Sequence, residues 1–176
     1  MHMWSQQNDL KQITEEAVNK ISTYFNIEDF VGKYQQINEK PKIKKIGLLV
    51  KPMFTNEIDI SDLILKISNG EQVRILYYSG ESAFIQKETL FDHPIWKLTD
   101  ECNFSLIVTL DKDKSLISYD TFNDYTDTAY LIINLPKEFV MQKGETITIT
   151  LFPATGITRT IVGEAPLPIK SVVNLY

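Results

Sequence analysis

The sequence predicts a mostly β protein, an immunoglobulin-like antiparallel β-sandwich preceded by an N-terminal amphipathic helix. Three observations support this fold class. Apolar residues recur at helical spacing near the N-terminus, they alternate with polar residues after Pro41, and short β-rich runs are separated by turn-forming residues. We therefore divide the 176 residues into an N-terminal helical segment, 1–41, and a β-sandwich domain, 42–176.

The N-terminal segment carries a narrow apolar stripe, with charged residues on the rest of the helix. Asn8 is the predicted N-cap, and a weaker helical pattern continues over 27–37. We expect one continuous or bent helix over residues 8–38, ending before Pro41 because proline disfavours helical geometry in the residue before it. The stripe either faces the domain's own sheet or contacts a partner. Its residues are Leu10, Ile13, Ala17, Ile21 and Phe25.

The remainder predicts seven to nine short strands. The clearest signal is Asn69-Gly70 between two β-rich runs, since both residues accept the positive φ of a tight hairpin. Strands are also predicted at 43–50, 104–110, 116–119, 128–134, 145–151, 157–163 and 169–175.

Composition excludes several functions. A net charge of −5 and a pI near 5.1 argue against binding of nucleic acid. The single cysteine, Cys102, permits no intrachain disulfide, and its acidic neighbours make it a poor nucleophile. His93 is the one histidine outside Met1-His2-Met3, which looks like a remnant of a cloning vector. We therefore predict no enzyme activity, no catalytic residue and no cofactor.

Two short motifs have both a structural and a functional interpretation. Asp111 and Asp113 begin like a calcium-binding loop, but Leu116 stands where an EF-hand needs glycine, so a solvated turn is favoured over a weak metal site. The alternative is a weak cation site formed by the loops, with the nearby Asp120, Asp124 and Asp127. Asn103 opens an Asn-Phe-Ser sequon for N-glycosylation, a triplet that also arises by chance.

Several segments between residues 43 and 176 resemble the globular domain of archaellins, the filament subunits of the archaeal motility structure. The resemblance is a pattern of strands and turns rather than one diagnostic motif. Its residues are Ile58–Leu63, Leu65–Gly70, Ile75–Tyr78, Asn103–Val108, Asp111–Leu116, Lys143–Ile149 and Thr158–Pro166.

The resemblance implies a non-enzymatic, extracellular structural component of the archaellum, whose partners are other archaellum subunits or further copies of the chain. It also implies a membrane-spanning N-terminal segment. No apolar run here reaches the roughly 18 residues that a span requires, so we expect that such a segment preceded Met1 and was removed.

Two alternatives stay open at this stage. The soluble domains of archaellum accessory proteins F and G look like archaellins and are close competitors. A carbohydrate-binding or surface-layer-binding sandwich that anchors the filament is the second alternative. Exposed aromatic side chains would indicate this second alternative. The candidates are Tyr77, Tyr78, Trp96, Tyr119 and Tyr125.

Overall fold

The computed structural model describes residues 2–22, 24–54, 57–154 and 156–176. Its first element is a long helix, and most of the others are strands. In chain order they are α1 (His2–Ser22), β1 (Phe25–Ile37), β2 (Lys40–Pro52), β3 (Ile58–Asp59), β4 (Ile64–Ser68), β5 (Val73–Phe84), β6 (Asn103–Leu110), α2 (Ser115–Tyr119), β7 (Thr121–Phe122), β8 (Thr128–Asn134), β9 (Thr146–Phe152), β10 (Arg159–Glu164) and β11 (Val172–Asn174).

Nine of the described strands form one sheet in the order β10-β9-β4-β5-β6-β8-β2-β1-β11, and β3 pairs with β7 separately. The large sheet curls until its two end strands approach each other. Glu164 N at the end of β10 donates to Leu175 O, just after β11, over 2.7 Å. The predicted mostly β fold with an N-terminal helix is confirmed. One pair departs from the antiparallel prediction, because β5 and β6 run parallel.

The main core lies inside the curled sheet. Inward-facing residues of neighbouring strands fill it, as alternation along each strand requires. Phe25 and Phe122 meet there edge to face, with ring centroids 5.3 Å apart. Other fully buried members are Phe30, Ile43, Ile46, Leu48, Leu65, Ile67, Leu76, Phe104, Leu131 and Ile149.

Residues 85–102 connect the parallel strands β5 and β6 and cover part of the sheet's outer face. Phe91, Ile95 and Trp96 pack there on Ile107 and Ile132 as a second apolar cluster. This position explains a lysine-rich stretch of β2. Lys44 pairs with Glu101 at 3.2 Å, and Lys45 Nζ lies 5.0 Å from the Trp96 ring.

Three sequence predictions need correction. The helix predicted over 8–38 spans His2–Ser22, so the predicted N-cap Asn8 lies inside it, and residues 25–37 form β1, which pairs along its length with β2. The predicted boundary at residue 41 therefore falls within a β-hairpin. The strand predicted at 116–119 is the short helix α2, because the Asp111 carboxylate accepts the N–H groups at its N-terminal end.

The hairpin predicted at Asn69-Gly70 is confirmed, but its turn is longer than predicted. Residues 69–72 join β4 to β5, and of the Asn-Gly pair only Gly70 adopts a positive φ, of 91°. Asn69 N donates to Gln72 O over 3.2 Å to close the turn. The glycine is required there because a side chain would be strained at that φ.

Candidate functional site

The long helix α1 exposes its side chains over residues 5–15, the part of it for which burial is described without a gap. Leu10 is 64% exposed and Ile13 is 61% exposed. Leu10 and Ile13 therefore do not pack on the chain's own sheet. The alternative in which the stripe faces that sheet is wrong at these two positions. The side chains of Ala17 and Ile21 lie outside the described residues.

Phe25, the fifth residue of the predicted stripe, does not belong to the helix. It is the first residue of β1 and is almost completely buried in the main core. Phe25 is therefore not part of the predicted interaction helix, because its side chain packs in the core of the β domain.

The local sequence favours α1 as an exposed helix. Thr14 Oγ1 donates to Leu10 O over 2.8 Å, and Lys11 lies 3.9 Å from Glu15 one turn on. Such an exposed pair adds only a few tenths of a kcal/mol. No described helix combines the length and the hydropathy needed to cross a bilayer.

Tyr24, which follows α1, contacts the β domain. Its carbonyl oxygen accepts a hydrogen bond from Met53 N over 2.9 Å, and Arg159 lies over its ring at 5.7 Å. The beginning of β10 therefore lies beside the residue that links α1 to the sheet.

Three aspartates form the second candidate site, at the end of the sheet where β6 and β8 meet α2. Carboxylate oxygens of Asp111, Asp113 and Asp127 all lie within 4.8 Å of one another. The sequence analysis named Asp111 and Asp113 as weak metal candidates. Of the three nearby aspartates that the sequence analysis added, Asp127 joins them, because β8 folds back beside β6.

Each of these carboxylates already accepts main-chain hydrogen bonds. Asp111 accepts from Ser115 N at 3.0 Å and from Leu116 N at 3.1 Å. Asp127 accepts from Asn123 N at 3.0 Å and from Asp124 N at 3.1 Å. Carboxylates in this arrangement hold the loops together. An oxygen-only set of this kind also suits Ca²⁺ or Mg²⁺, so a metal site at Asp111 and Asp113 stays a prediction.

Burial and hydrogen bonding move the pKa values of this cluster in opposite directions. Burial raises the pKa of Asp127 and of Asp111 above the ordinary value for aspartate. Hydrogen bonds from Asn123 and from Ser115 N lower the pKa of the exposed Asp113 to about 2. The cluster therefore keeps negative charge at Asp113 and gains no stability from ionising its buried members.

The remaining predicted residues are dispersed. Tyr77, Tyr119 and Tyr125 are exposed, but Trp96 is buried and Tyr78 donates a 2.6 Å hydrogen bond to Asp120. The five aromatic residues therefore do not form one exposed carbohydrate platform.

Asn103 is half-buried at the start of β6, and the sequon residue Ser105 is fully buried. Ser105 Oγ accepts a hydrogen bond from Thr99 Oγ1 over 2.7 Å. Glycosylation at Asn103 stays a prediction.

The sequence analysis missed an apolar patch on the outer face of β5. Val73, Ile75 and Tyr77 are exposed at alternate positions of that strand. The sequence shows that these residues alternate with Arg74 and Leu76. This alternation does not predict which face of β5 is covered by the rest of the protein.

No protein-family model matches the chain. Flagellin B3 of Methanocaldococcus jannaschii is 27% identical over 168 residues, which cover 91% of this chain and 76% of the relative.

Two solved structures are similar in fold. Archaeal flagellin FlaB1 of M. jannaschii superposes with a TM-score of 0.74 and 20% identity, covering 86% of this chain and 95% of that one. The archaeal flagellum of Methanospirillum hungatei strain JF1 gives a TM-score of 0.60 with 8% identity over 98% of this chain and 83% of its own. The predicted resemblance is confirmed: the chain is similar in sequence to an archaeal flagellin and has the archaellin fold.

Proposed function

We propose that this protein is a structural subunit of the archaeal motility filament. The main observation behind this proposal is the similarity to Flagellin B3 along 91% of the chain, and the FlaB1-like fold supports it. Its role is to assemble with other archaellum subunits or with copies of itself. This role requires no catalytic reaction. Among the described residues, the carboxylates of the one acidic cluster accept hydrogen bonds from main-chain N–H groups.

The helix α1 supplies the assembly contact in this proposal. It presents Leu10 and Ile13 to solvent, and burying two such side chains against neighbouring subunits stabilises the contact by about 3–6 kcal/mol before the cost of association. The β domain then lies on the extracellular side, where a surface-layer protein is a further candidate partner. In this proposal the native protein is also anchored to the membrane.

Filament labelling in the archaeon of origin tests this function. A peptide tag at the exposed hairpin residue Glu71 should bring immunogold label along the whole length of motility filaments. Label confined to the filament base or to the cell envelope would instead indicate an accessory protein, and would reject the subunit role.

A pair of helix variants tests the assembly surface. L10K/I13K should abolish incorporation into filaments while leaving the thermal stability of the β domain unchanged. K11Q/E15Q alters the same helix at exposed polar positions and should incorporate normally. Normal incorporation of L10K/I13K would exclude this part of α1 as the contact.

A further inference from the structure

β5 carries an apolar row that the described part of the chain leaves uncovered. Val73, Ile75 and Tyr77, called here the β5 patch, project outward at alternate positions and are between 39% and 61% exposed. On the neighbouring strand β6, the outward residue Ile107 is completely buried beneath residues 85–102. The cover on the outer face of the sheet therefore ends at β6, and β5 is the first strand without it.

A lysine lies beside the β5 patch and projects to the same face. Lys66 of β4 is directly opposite Ile75, and directly opposite residues of two paired strands share a face. Its Nζ atom lies 5.7 Å from the centroid of the Phe152 ring, and no carboxylate of the described residues pairs with it. The patch therefore has an unpaired positive charge along one side.

The exposed part of α1 has the complementary composition. Leu10 and Ile13 project into solvent, and Asp9 lies one helical turn before Ile13 on the same side of the helix. Asp9 is exposed, and no basic group of the described residues pairs with it. The patch spans about 13 Å, the length of two to three turns of helix. An apolar stripe beside a carboxylate therefore matches an apolar row beside an ammonium group.

α1 does not cover the β5 patch of its own chain. It leads through Tyr24 into β1, and three strands, β2, β8 and β6, separate β1 from β5 in the sheet. The exposure of Leu10 and Ile13 gives the same result, because these side chains would be buried if α1 lay on a sheet face. A contact between the two surfaces therefore requires two copies of the chain.

We propose that the α1 stripe of one copy packs on the β5 patch of a second copy, where Asp9 pairs with Lys66. A helix laid on a sheet is a standard way to bury an apolar sheet face. The contact joins two different surfaces, so each copy presents its helix to one neighbour and its patch to another. Contacts of this kind build open helical assemblies unless the rotation closes a ring. The inference rests on the proposed function, in which α1 is the assembly element, and it names the surface that receives α1.

Exchange of the two charges tests the contact in the full 176-residue chain. Sedimentation velocity from about 10 to about 500 µM measures association, which should continue beyond the dimer because the contact is open-ended. D9K and K66E each bring like charges together and should weaken association by about tenfold. D9K/K66E restores an unlike pair and should associate within about threefold of the wild type, which also shows that both substitutions are compatible with folding.

A mixture and a control make the test specific. In an equimolar mixture of D9K and K66E, the unchanged helix of one chain meets the unchanged patch of the other, so association should recover. K97E reverses an exposed lysine within residues 85–102, which lie over the covered part of the sheet, and should associate like the wild type. If α1 instead packed on α1 of another copy, K66E would associate normally, and this result would refute the proposal. An equal effect of K97E and K66E would also refute it.

The measurement uses the purified chain and needs no filament, so the two proposals fail separately. A chain that shows the charge-exchange pattern but brings no label along motility filaments would support the β5 contact and reject the subunit role. A chain that labels filaments but stays monomeric throughout, or does not respond to K66E, would keep the subunit role and overturn the β5 contact.

Discussion

Asp127 shows most directly how single residues hold the acidic loops together. Its side chain is almost fully buried, and one carboxylate oxygen accepts the N–H groups of Asn123 and Asp124. D127A leaves both N–H groups without an acceptor and should lower the free energy of unfolding by about 2–4 kcal/mol. D127N keeps an acceptor oxygen and should lose clearly less. Urea denaturation at pH 7 compares the two variants.

The pH dependence of D127N follows from the raised pKa of Asp127. Because burial disfavours the ionised form, the folded protein binds this proton more tightly than the unfolded chain does. The wild type therefore loses stability at this site as pH rises from the unfolded pKa through the raised folded pKa. D127N has no such loss, so its stability relative to the wild type should improve between pH 4 and pH 7. Thermal melts at both values check the sign.

At the scale of one element, β1 is where sequence and structure differ most. F25A removes an aromatic ring from the main core and should cost about 3–5 kcal/mol. L10A, in the exposed part of α1, should change the free energy of unfolding of the β domain by less than about 0.5 kcal/mol. If Phe25 continued the α1 stripe, the two variants would behave alike in urea denaturation.

The helical pattern that β1 shows in sequence has a structural cause. Its pairing with β2 shifts register between Ile27 and Asp29 and again between Lys33 and Tyr34. The first shift moves the buried positions from Phe25 and Ile27 to Phe30, so apolar residues lie three apart as they do on a helix. The spacing of apolar residues alone therefore could not distinguish this strand from a helix.

The strands that alternate without a shift were predicted close to their true bounds, β8 at 128–134 among them. The Asn-Gly hairpin was also predictable, because its turn chemistry is local. The sequence named Asp120, Asp124 and Asp127 together, and the selection of Asp127 depends on the pairing of β6 with β8. The exposure of Leu10 depends on tertiary packing that no local pattern contains.

At the scale of the whole molecule, closure of the curled sheet depends on a close approach at Gly163. A Cβ atom there would lie 2.9 Å from Phe30 Cζ in β1 and 3.1 Å from Leu175 Cβ. G163A should therefore destabilise the fold by about 1–3 kcal/mol, since a packed core resists added volume. V162T, on the exposed face of β10, is the control and should be nearly neutral. Thermal denaturation of both variants measures the difference.

The exposure of α1 over residues 5–15 leads to a prediction for the whole chain. Deleting residues 2–22 should leave a folded β domain that melts cooperatively and keeps the near-ultraviolet circular dichroism of its buried aromatic residues. This result would support a folding unit over residues 25–176 in place of the predicted division at residue 41. A truncated chain that fails to melt cooperatively would show that the helix belongs to the folding unit.

The pairing of β1 with β11 also constrains how the chain reaches this structure. Val31 lies opposite Asn174, so two strands nearly a whole chain length apart are neighbours. Contacts of such long sequence separation form late, because a large loop must close before they stabilise anything. During synthesis the β1–β2 hairpin must therefore wait, with the outer edge of β1 unpaired, until almost every residue has emerged. A chaperone or rapid export would protect that waiting edge from pairing with other nascent chains.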